Sequence, residues 1–320
     1  MTQPNSDFDE LASTTIAEYQ SELADNVTNH IPVYAYLKEH GGVKKVDGGT
    51  QILENMLYGD NNTVKWYDGY ELLDVSASDA VTAANFAWKQ LNGNVVFNGK
   101  EAMINEGRNK QIDLIEARTK QCEISLTNTM GAAIYAAGTE SSGKIIGGLQ
   151  ALVAASPSTG VVGGINRATQ SWWRNQAYDA SDNSKVVDAS TIQDLMNTTY
   201  RLCQRGADKP NLIIMGDTHY GYFETMANAK KLFTNDTSKA ALSFSSYKFK
   251  GADVIYDPNA TATYTYFLNL DYLRIRPHSK RNFNTAKDRM PVNQDATIIP
   301  IFWMGNLTSS NSSLQGILTS

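Results

Sequence analysis

The residues best suited to chemistry in this sequence lie in Met215-Gly-Asp-Thr-His-Tyr220. An aspartate and a histidine at this spacing can each ligate a divalent metal, and paired metals hydrolyse phosphoesters. A metal-dependent phosphoesterase needs several further His, Asp and Asn ligands. The four histidines, His30, His40, His219 and His278, are scattered. No Gly-Asn-His-Asp/Glu segment and no earlier Asp-x-His accompanies Gly216-Asp-Thr-His219. The simpler reading is local: Asp217 or Thr218 caps a helix that begins there.

Other reactive types fare no better. Ser156 and Ser158 lack the strand–turn–helix setting of a nucleophile elbow. Gly147-Gly148 and Gly163-Gly164 have neither a following Gly-Lys-Ser/Thr nor dinucleotide-fingerprint spacing, so they read as loop glycines. Cys122 and Cys203 both fall in apolar helical stripes, which predicts buried free thiols in a reducing compartment. The expectation is therefore no catalytic residue, no cofactor and no metal.

Charge narrows the partners. Residues 1–40 hold seven acids (Asp7, Asp9, Glu10, Glu18, Glu22, Asp25, Glu39) and one base, Lys38. The whole chain carries −5, so the remaining 280 residues sum to +1. Such a body cannot neutralise many phosphates, which argues against strong direct DNA binding. No basic segment followed by an apolar run opens the chain, so no secretory signal is expected. The longest uncharged runs, 145–166 and 296–320, are broken by Gly, Pro or Ser/Thr/Asn and do not read as membrane spans.

These observations move attention to the elements. Residues 1–45 are polar and acidic, and read as an arm lying across its own subunit and its neighbours, with a short helix near Phe8–Leu23. Thr63–Tyr67, Asp68-Gly69 and Tyr70–Val75 predict strand, tight turn and returning strand. Phe86–Lys89 and Val95–Phe97 are further strand candidates. One long amphipathic helix follows over Gly99–Ala137. Ile104, Ile112, Ile115, Cys122, Leu126, Met130, Ala133 and Ala137 share a face, and Glu106/Lys110 and Glu116/Lys120 are i,i+4 pairs. Its 39 residues would span about 58 Å, with an interruption expected at Thr127–Thr129.

Ile145–Gly164 reads as a long loop. Ser190 with Gln193 suggests a capping box, and Gly206 a stop, for a helix over Thr191–Arg205 with Ile192, Leu195, Met196, Leu202 and Cys203 inward. Leu212–Met215 is a buried strand, Asp217 to about Leu232 a helix, Phe249–Tyr256 a strand. Tyr264–Arg276 and Thr297–Met304 are long strand candidates. The fold class is α+β.

Trp66, Tyr67 and Tyr70 cluster where the predicted hairpin ends. Its strands are too short and polar to bury these rings, so they are expected to anchor a subunit interface, where aromatics are enriched.

Phe86-Ala-Trp-Lys-Gln90, Gly99-Lys-Glu101 and Ile112-Asp-Leu-Ile-Glu-Ala-Arg118 resemble the passage from extended loop into spine helix of tailed-bacteriophage major capsid proteins of the Hong Kong ninety-seven type. Ile146–Val153, Gly163–Thr169 and Trp172–Asn175 resemble the start of the axial domain in one group of them. Phe249–Asp257 and Tyr266–Leu273 resemble its exit. The resemblance covers about residues 45–307.

The resemblance implies an N-terminal arm (1–45), an extended loop with flanking strands (46–98), a spine helix in a peripheral domain (99–144), an axial domain (145–262), and a return to the peripheral domain with a C-terminal tail (263–320). It implies hexamers and pentamers in an icosahedral shell, assembled in a host bacterial cytoplasm with scaffolding and portal proteins, in some relatives a decoration protein, and enclosing double-stranded DNA without sequence-specific binding. An encapsulin-like nanocompartment is the alternative. Some relatives carry a lysine–asparagine isopeptide bond. Lys65 is the positional candidate for its lysine, and no asparagine partner maps. The starting methionine and short arm imply that no N-terminal scaffold segment is removed.

Overall fold

The computed structural model describes residues 31–77, 79–99, 108–229, 247–285 and 295–320, with side chains in the long helix described from Ala117 onward. The helix expected near Phe8–Leu23, the side chains of Ile104, Ile112 and Ile115, and the pairs Glu106/Lys110 and Glu116/Lys120 lie outside these residues.

The described chain opens on α1 (Pro32–Glu39), a short helix with proline in its first turn, where the missing N–H does no harm. Val33, Tyr34, Tyr36 and Leu37 are buried in the main core. Val43 and Val46 then form parallel bridges to Ile275 and His278. Residues 31–46 are thus packed on their own subunit; residues 1–30 of the expected arm lie outside the described residues.

β1 (Ile52–Leu57) and β2 (Val81–Phe86) form an antiparallel stem, registered from Ile52–Phe86 to Leu57–Val81. β3 (Lys89–Asn98) follows and leads toward α2 (Arg108–Ile134), the long helix. Its 27 described residues span about 40 Å. Thr127 and Thr129 do not interrupt it: their hydroxyls donate to the carbonyls of Glu123 and Ser125 one turn back, which leaves the helical ladder intact. The helix ends at Ile134 rather than Ala137, where the Gly148 backbone closes on it. A Cβ at Gly148 would lie 2.5 Å from the Ile134 carbonyl oxygen.

Short helical turns at Glu140–Gly143, Leu149–Leu152 and Ser171–Trp173 follow α2, and between the last two β4 (Val161–Val162) and β5 (Ile165–Asn166) make a tight hairpin. β6 (Gln176–Asp179), α3 (Ile192–Leu202), β7 (Leu212–Met215), α4 (Asp217–Ala229), β8 (Tyr247–Phe249), β9 (Ala252–Tyr256), β10 (Tyr264–Leu268), β11 (Leu273–Thr285), β12 (Ala296–Ser309) and β13 (Gly316–Thr319) complete the order. The predicted single strand over Tyr264–Arg276 is two strands in different sheets. Asn269 breaks it, giving its backbone N–H to Gln315 Oε1 and accepting the Asp271 N–H on its side-chain oxygen.

Two sheets organise the molecule. One is antiparallel, ordered β11-β12-β3, with α2 against β3. Gly93 of β3 permits that approach, since a Cβ there would sit 2.7 Å from Cys122 Sγ. The other is mixed, ordered β6-β13-β10-β7-β9-β8. It draws strands from both 145–262 and 263–320. Leu212-Ile-Ile-Met215 is buried throughout because both faces are covered. Leu212 and Ile214 join the core beneath α1 and α2. Ile213 and Met215 join a second core under α3 and α4.

In α3, Ile192, Leu195, Met196 and Cys203 point inward as expected, but Leu202 is exposed on the last turn. The expected capping box does not hold its start. Asp188 accepts the N–H groups of Ser190 and Thr191 instead.

Candidate assembly surface

The stem strand β1 alternates sharply. Ile52, Glu54 and Met56 are buried, whereas Leu53 and Leu57 face outward. Alternation with period 2 makes one face of the stem a packing face and leaves the other apolar and open. Phe86 and Ala84 seat the stem on the β4–β5 hairpin, with Asn85 N–H donating 2.8 Å to the Gly163 carbonyl. Gly163 sits at φ +60°, and a Cβ there would meet Ala84 Cβ at 2.7 Å. Tyr58 stacks on Trp172 at 5.2 Å.

The stem's buried polar group is Glu54, 3% exposed. Arg276 of β11 donates to both its oxygens, 2.6 and 2.9 Å away. Arg274 stands 3.6 Å off, and Thr308 of β12 donates its hydroxyl at 2.9 Å. A bidentate arginine–carboxylate pair fixes angle as well as distance. It sets the direction in which the stem projects from the β11-β12-β3 sheet. Asn306 adds a second tie, donating to the Ala87 carbonyl at the stem's exit and accepting the Gly147 N–H.

Beyond the stem, Tyr58 N–H bonds the Ala80 carbonyl and the ladder ends. Strands over Thr63–Tyr67 and Tyr70–Val75 are not formed; the segment is turns and extended chain. Its internal bonds are local. Glu71 N–H closes a turn on Asp68, and Lys65 Nζ donates 3.0 Å to the Leu72 carbonyl. The sequence has no partner for a ladder: few side chains there can bury one another. Trp66 is 100% exposed, and Val64, Tyr67, Tyr70, Leu72, Leu73 and Val75 are all open. No ring contact joins Trp66, Tyr67 and Tyr70 among the described residues. The structure puts the three on one excursion without making them a cluster.

Sequence reasoning found these aromatics but missed Glu54, Arg276 and Thr308. A lone Glu in an alternating strand was the only signal.

The Gly216-Asp-Thr-His219 segment sits elsewhere, at the β7–α4 junction. Gly216 is required because the Thr261 carbonyl passes where a Cβ would be. The first amides of α4, from Thr218 and His219, are taken by the Ala262 carbonyl rather than by an Asp217 or Thr218 side chain. His219 is fully buried with Nδ1 2.9 Å from Thr265 Oγ1. Burial lowers its pKa to about 4. Among the described residues, no group of three or more His, Cys, Asp or Glu side chains gathers there or elsewhere. The end of α2 and the mixed sheet are joined by Tyr135, whose hydroxyl donates 2.9 Å to Asp257. Burial, with the Asp257 charge beside it, holds that phenol well above its ordinary pKa.

Solved structures match this arrangement. A cyanophage A-1(L) capsid chain superposes with a TM-score of 0.61 at 14% identity, covering 88% of this chain and 92% of that one. The capsid chain of a native GTA particle gives 0.59 at 10% identity, covering 88% and 89%. The chain has the tailed-phage major capsid fold. The SrpI encapsulin of Synechococcus elongatus gives 0.51 at 9% identity over 86% of this chain and 83% of that one, so an encapsulin shares the fold. No protein-family model and no curated protein sequence matches the chain. No helix among the described residues is long and apolar enough to cross a membrane.

Proposed function

We propose that this chain is a structural major capsid protein. It associates with itself as hexamers and pentamers into an icosahedral shell that encloses double-stranded DNA without reading its sequence. Trp66, Tyr67 and Tyr70 dock on the adjacent subunit, and scaffolding, portal and decoration proteins are its further partners. The shell assembles in a host bacterial cytoplasm and becomes the virion capsid. The chemistry of the chain is contact rather than catalysis.

One observation carries this reading: a loop that exposes Val64, Trp66, Tyr67, Tyr70, Leu72, Leu73 and Val75, held out on a stem whose angle is fixed by a buried ion pair. Exposed apolar patches on this scale mark protein interaction sites. A rigid stem reduces the ordering needed when the loop docks. Each contact can be moderate, because linked contacts reinforce one another in a closed shell.

Sedimentation and negative-stain microscopy of the expressed chain test it. Capsomers or closed shells are expected. A chain that stays monomeric at every concentration and salt tried overturns the proposal. The fold shared with an encapsulin supports a second reading, a shell around protein cargo. Nuclease-protected double-stranded DNA inside the particles favours the capsid, and co-purifying enzyme with no DNA favours the compartment.

A further inference from the structure

We propose that the sheet edge carrying Lys44, Lys45, Lys280 and Arg281 is the docking strip for this chain's own acidic segment, residues 7–25. The inference goes beyond the shell reading and does not depend on it.

Backbone pairing builds the strip. Lys44 N–H bonds the Ile275 carbonyl, Val46 N–H the Pro277 carbonyl, and Ser279 N–H the Val46 carbonyl. Residues 43–46 therefore lie alongside β11. At the same place β11 bulges. Pro277 pairs with Gly305 and the next pair is Asn282 with Trp303, so residues 278–281 stand opposite Met304 alone. The bulge is strained: Phe283 has φ +56°, a rare conformation for a bulky residue. Packing holds it, for Phe283 is fully buried, with Trp303 at 6.4 Å. A bulge of this kind re-aims side chains at a sheet edge. Here Lys280 and Arg281 leave the ladder and are exposed. Gln90 accepts from Arg281 at 3.1 Å, and the Phe302 ring lies 5.0 Å beneath its guanidinium.

The strip is cationic beyond its immediate needs. Residues 43–49 and 273–285 contain Lys44, Lys45, Arg274, Arg276, Lys280 and Arg281 against one carboxylate, Asp47. Glu54 takes up Arg274 and Arg276. The other four cations make no ion pair among the described residues.

The complementary charge is in the same chain. Residues 1–37 hold six carboxylates (Asp7, Asp9, Glu10, Glu18, Glu22, Asp25) and no Lys or Arg. That segment enters the described fold at Ile31, directly before α1, and α1 packs on β11. The stretch from Asp7 to Ile31 can extend to about 80 Å, so the strip of its own subunit and that of a neighbour are both within reach. Tethering gives either encounter a high effective concentration. Duplex DNA is the weaker fit, because residues 41–320 sum to only +1.

A carbodiimide, which joins carboxylates to amines only in direct contact, tests this on the intact chain. Peptide mapping should show links from the 7–25 carboxylates to Lys44, Lys45 and Lys280. Their yield should fall several-fold between low and high salt, as expected for exposed charges. Links within one copy leave a monomer band on a denaturing gel and links between copies give ladders; both support the proposal and distinguish its two geometries. Charge reversal with Lys44→Glu and Lys280→Glu should speed proteolysis within residues 7–25 several-fold. Combining it with Asp7→Lys, Asp9→Lys and Glu10→Lys should restore protection. The proposal is overturned if the three lysines link elsewhere, or if charge reversal leaves proteolysis unchanged. It is equally overturned if double-stranded DNA, and not the acidic segment, shields those lysines from acetylation.

Discussion

Glu54 and Arg276, 222 positions apart in sequence, form a bidentate pair at 2.6 and 2.9 Å where the β1–β2 stem meets the β11-β12-β3 sheet. Glu54 also receives Thr308 and faces Arg274, so one carboxylate organises three strands. Removing a single partner from a buried pair leaves an uncompensated charge, which typically costs about 3 kcal/mol. Glu54→Ala should therefore lower the stability of the isolated subunit by roughly that amount in urea denaturation. A loss below about 0.5 kcal/mol, the range of exposed pairs, would show that the stem is held by its apolar face alone.

His219 gives the fold an acid-sensitive position. Its folded pKa is about 4, against about 6.5 in an unfolded chain. Between those values the unfolded chain binds a proton that the folded chain refuses. Stability is therefore lost as pH falls from about 6.5 to 4, by roughly 3 kcal/mol over the full window, and this contribution is flat below it. In His219→Asn the side-chain amide can still meet Thr265, and no such titration remains. The wild type should lose markedly more stability than this variant between pH 7 and pH 4.5. Parallel curves for the two proteins would remove His219 from the account.

What the sequence made legible follows from how local each signal was. Leu212-Ile-Ile-Met215 announced a strand buried on both faces, because four adjacent apolar residues leave no polar side. The long helix α2 was readable from its stripe, of which Leu126, Met130 and Ala133 are buried. Its end was not, since Gly148, and no residue of the helix itself, closes it at Ile134. The strand over Tyr264–Arg276 was over-extended because Asn269 breaks it through Gln315, 46 positions on. Glu54 was invisible as a site for the same reason: its partners lie on β11 and β12. For the loop, the sequence rightly denied Trp66, Tyr67 and Tyr70 a core of their own. It wrongly supplied a ladder that turn-rich, polar residues there do not form.

The Gly216-Asp-Thr-His219 segment makes opposite demands as a structural junction and as a metal site. At a junction, Gly216 matters most, because any Cβ meets the Thr261 backbone. Such overpacking against main chain costs on the order of 2 kcal/mol or more. Gly216→Ala should destabilise the subunit by that much. Asp217→Ala, at the solvent-exposed start of α4, should cost about 1 kcal/mol or less. Neither variant should change phosphoester hydrolysis by the purified protein. A zinc- or manganese-dependent phosphatase activity abolished by Asp217→Ala in a normally folded subunit would reverse this assignment.

The loop provides the sharpest separation of folding from assembly. Trp66 is fully exposed, so its ring contributes nothing to the isolated subunit that water does not already provide. Truncating it should leave the denaturation midpoint of the subunit within about 0.5 kcal/mol of wild type, the usual range for surface changes. At an interface, loss of a central aromatic anchor costs on the order of 2 kcal/mol or more, and a closed shell repeats that loss at every subunit. Trp66→Ala should therefore give soluble subunits or capsomers with unchanged circular dichroism and few stable particles by sedimentation. Tyr67→Ala and Tyr70→Ala should follow in the same direction. Glu54→Ala should differ in kind, lowering subunit stability and particle yield together. If Trp66→Ala assembles as well as wild type, the loop is not the tie between subunits. If it unfolds the subunit, the ring belongs to its own core.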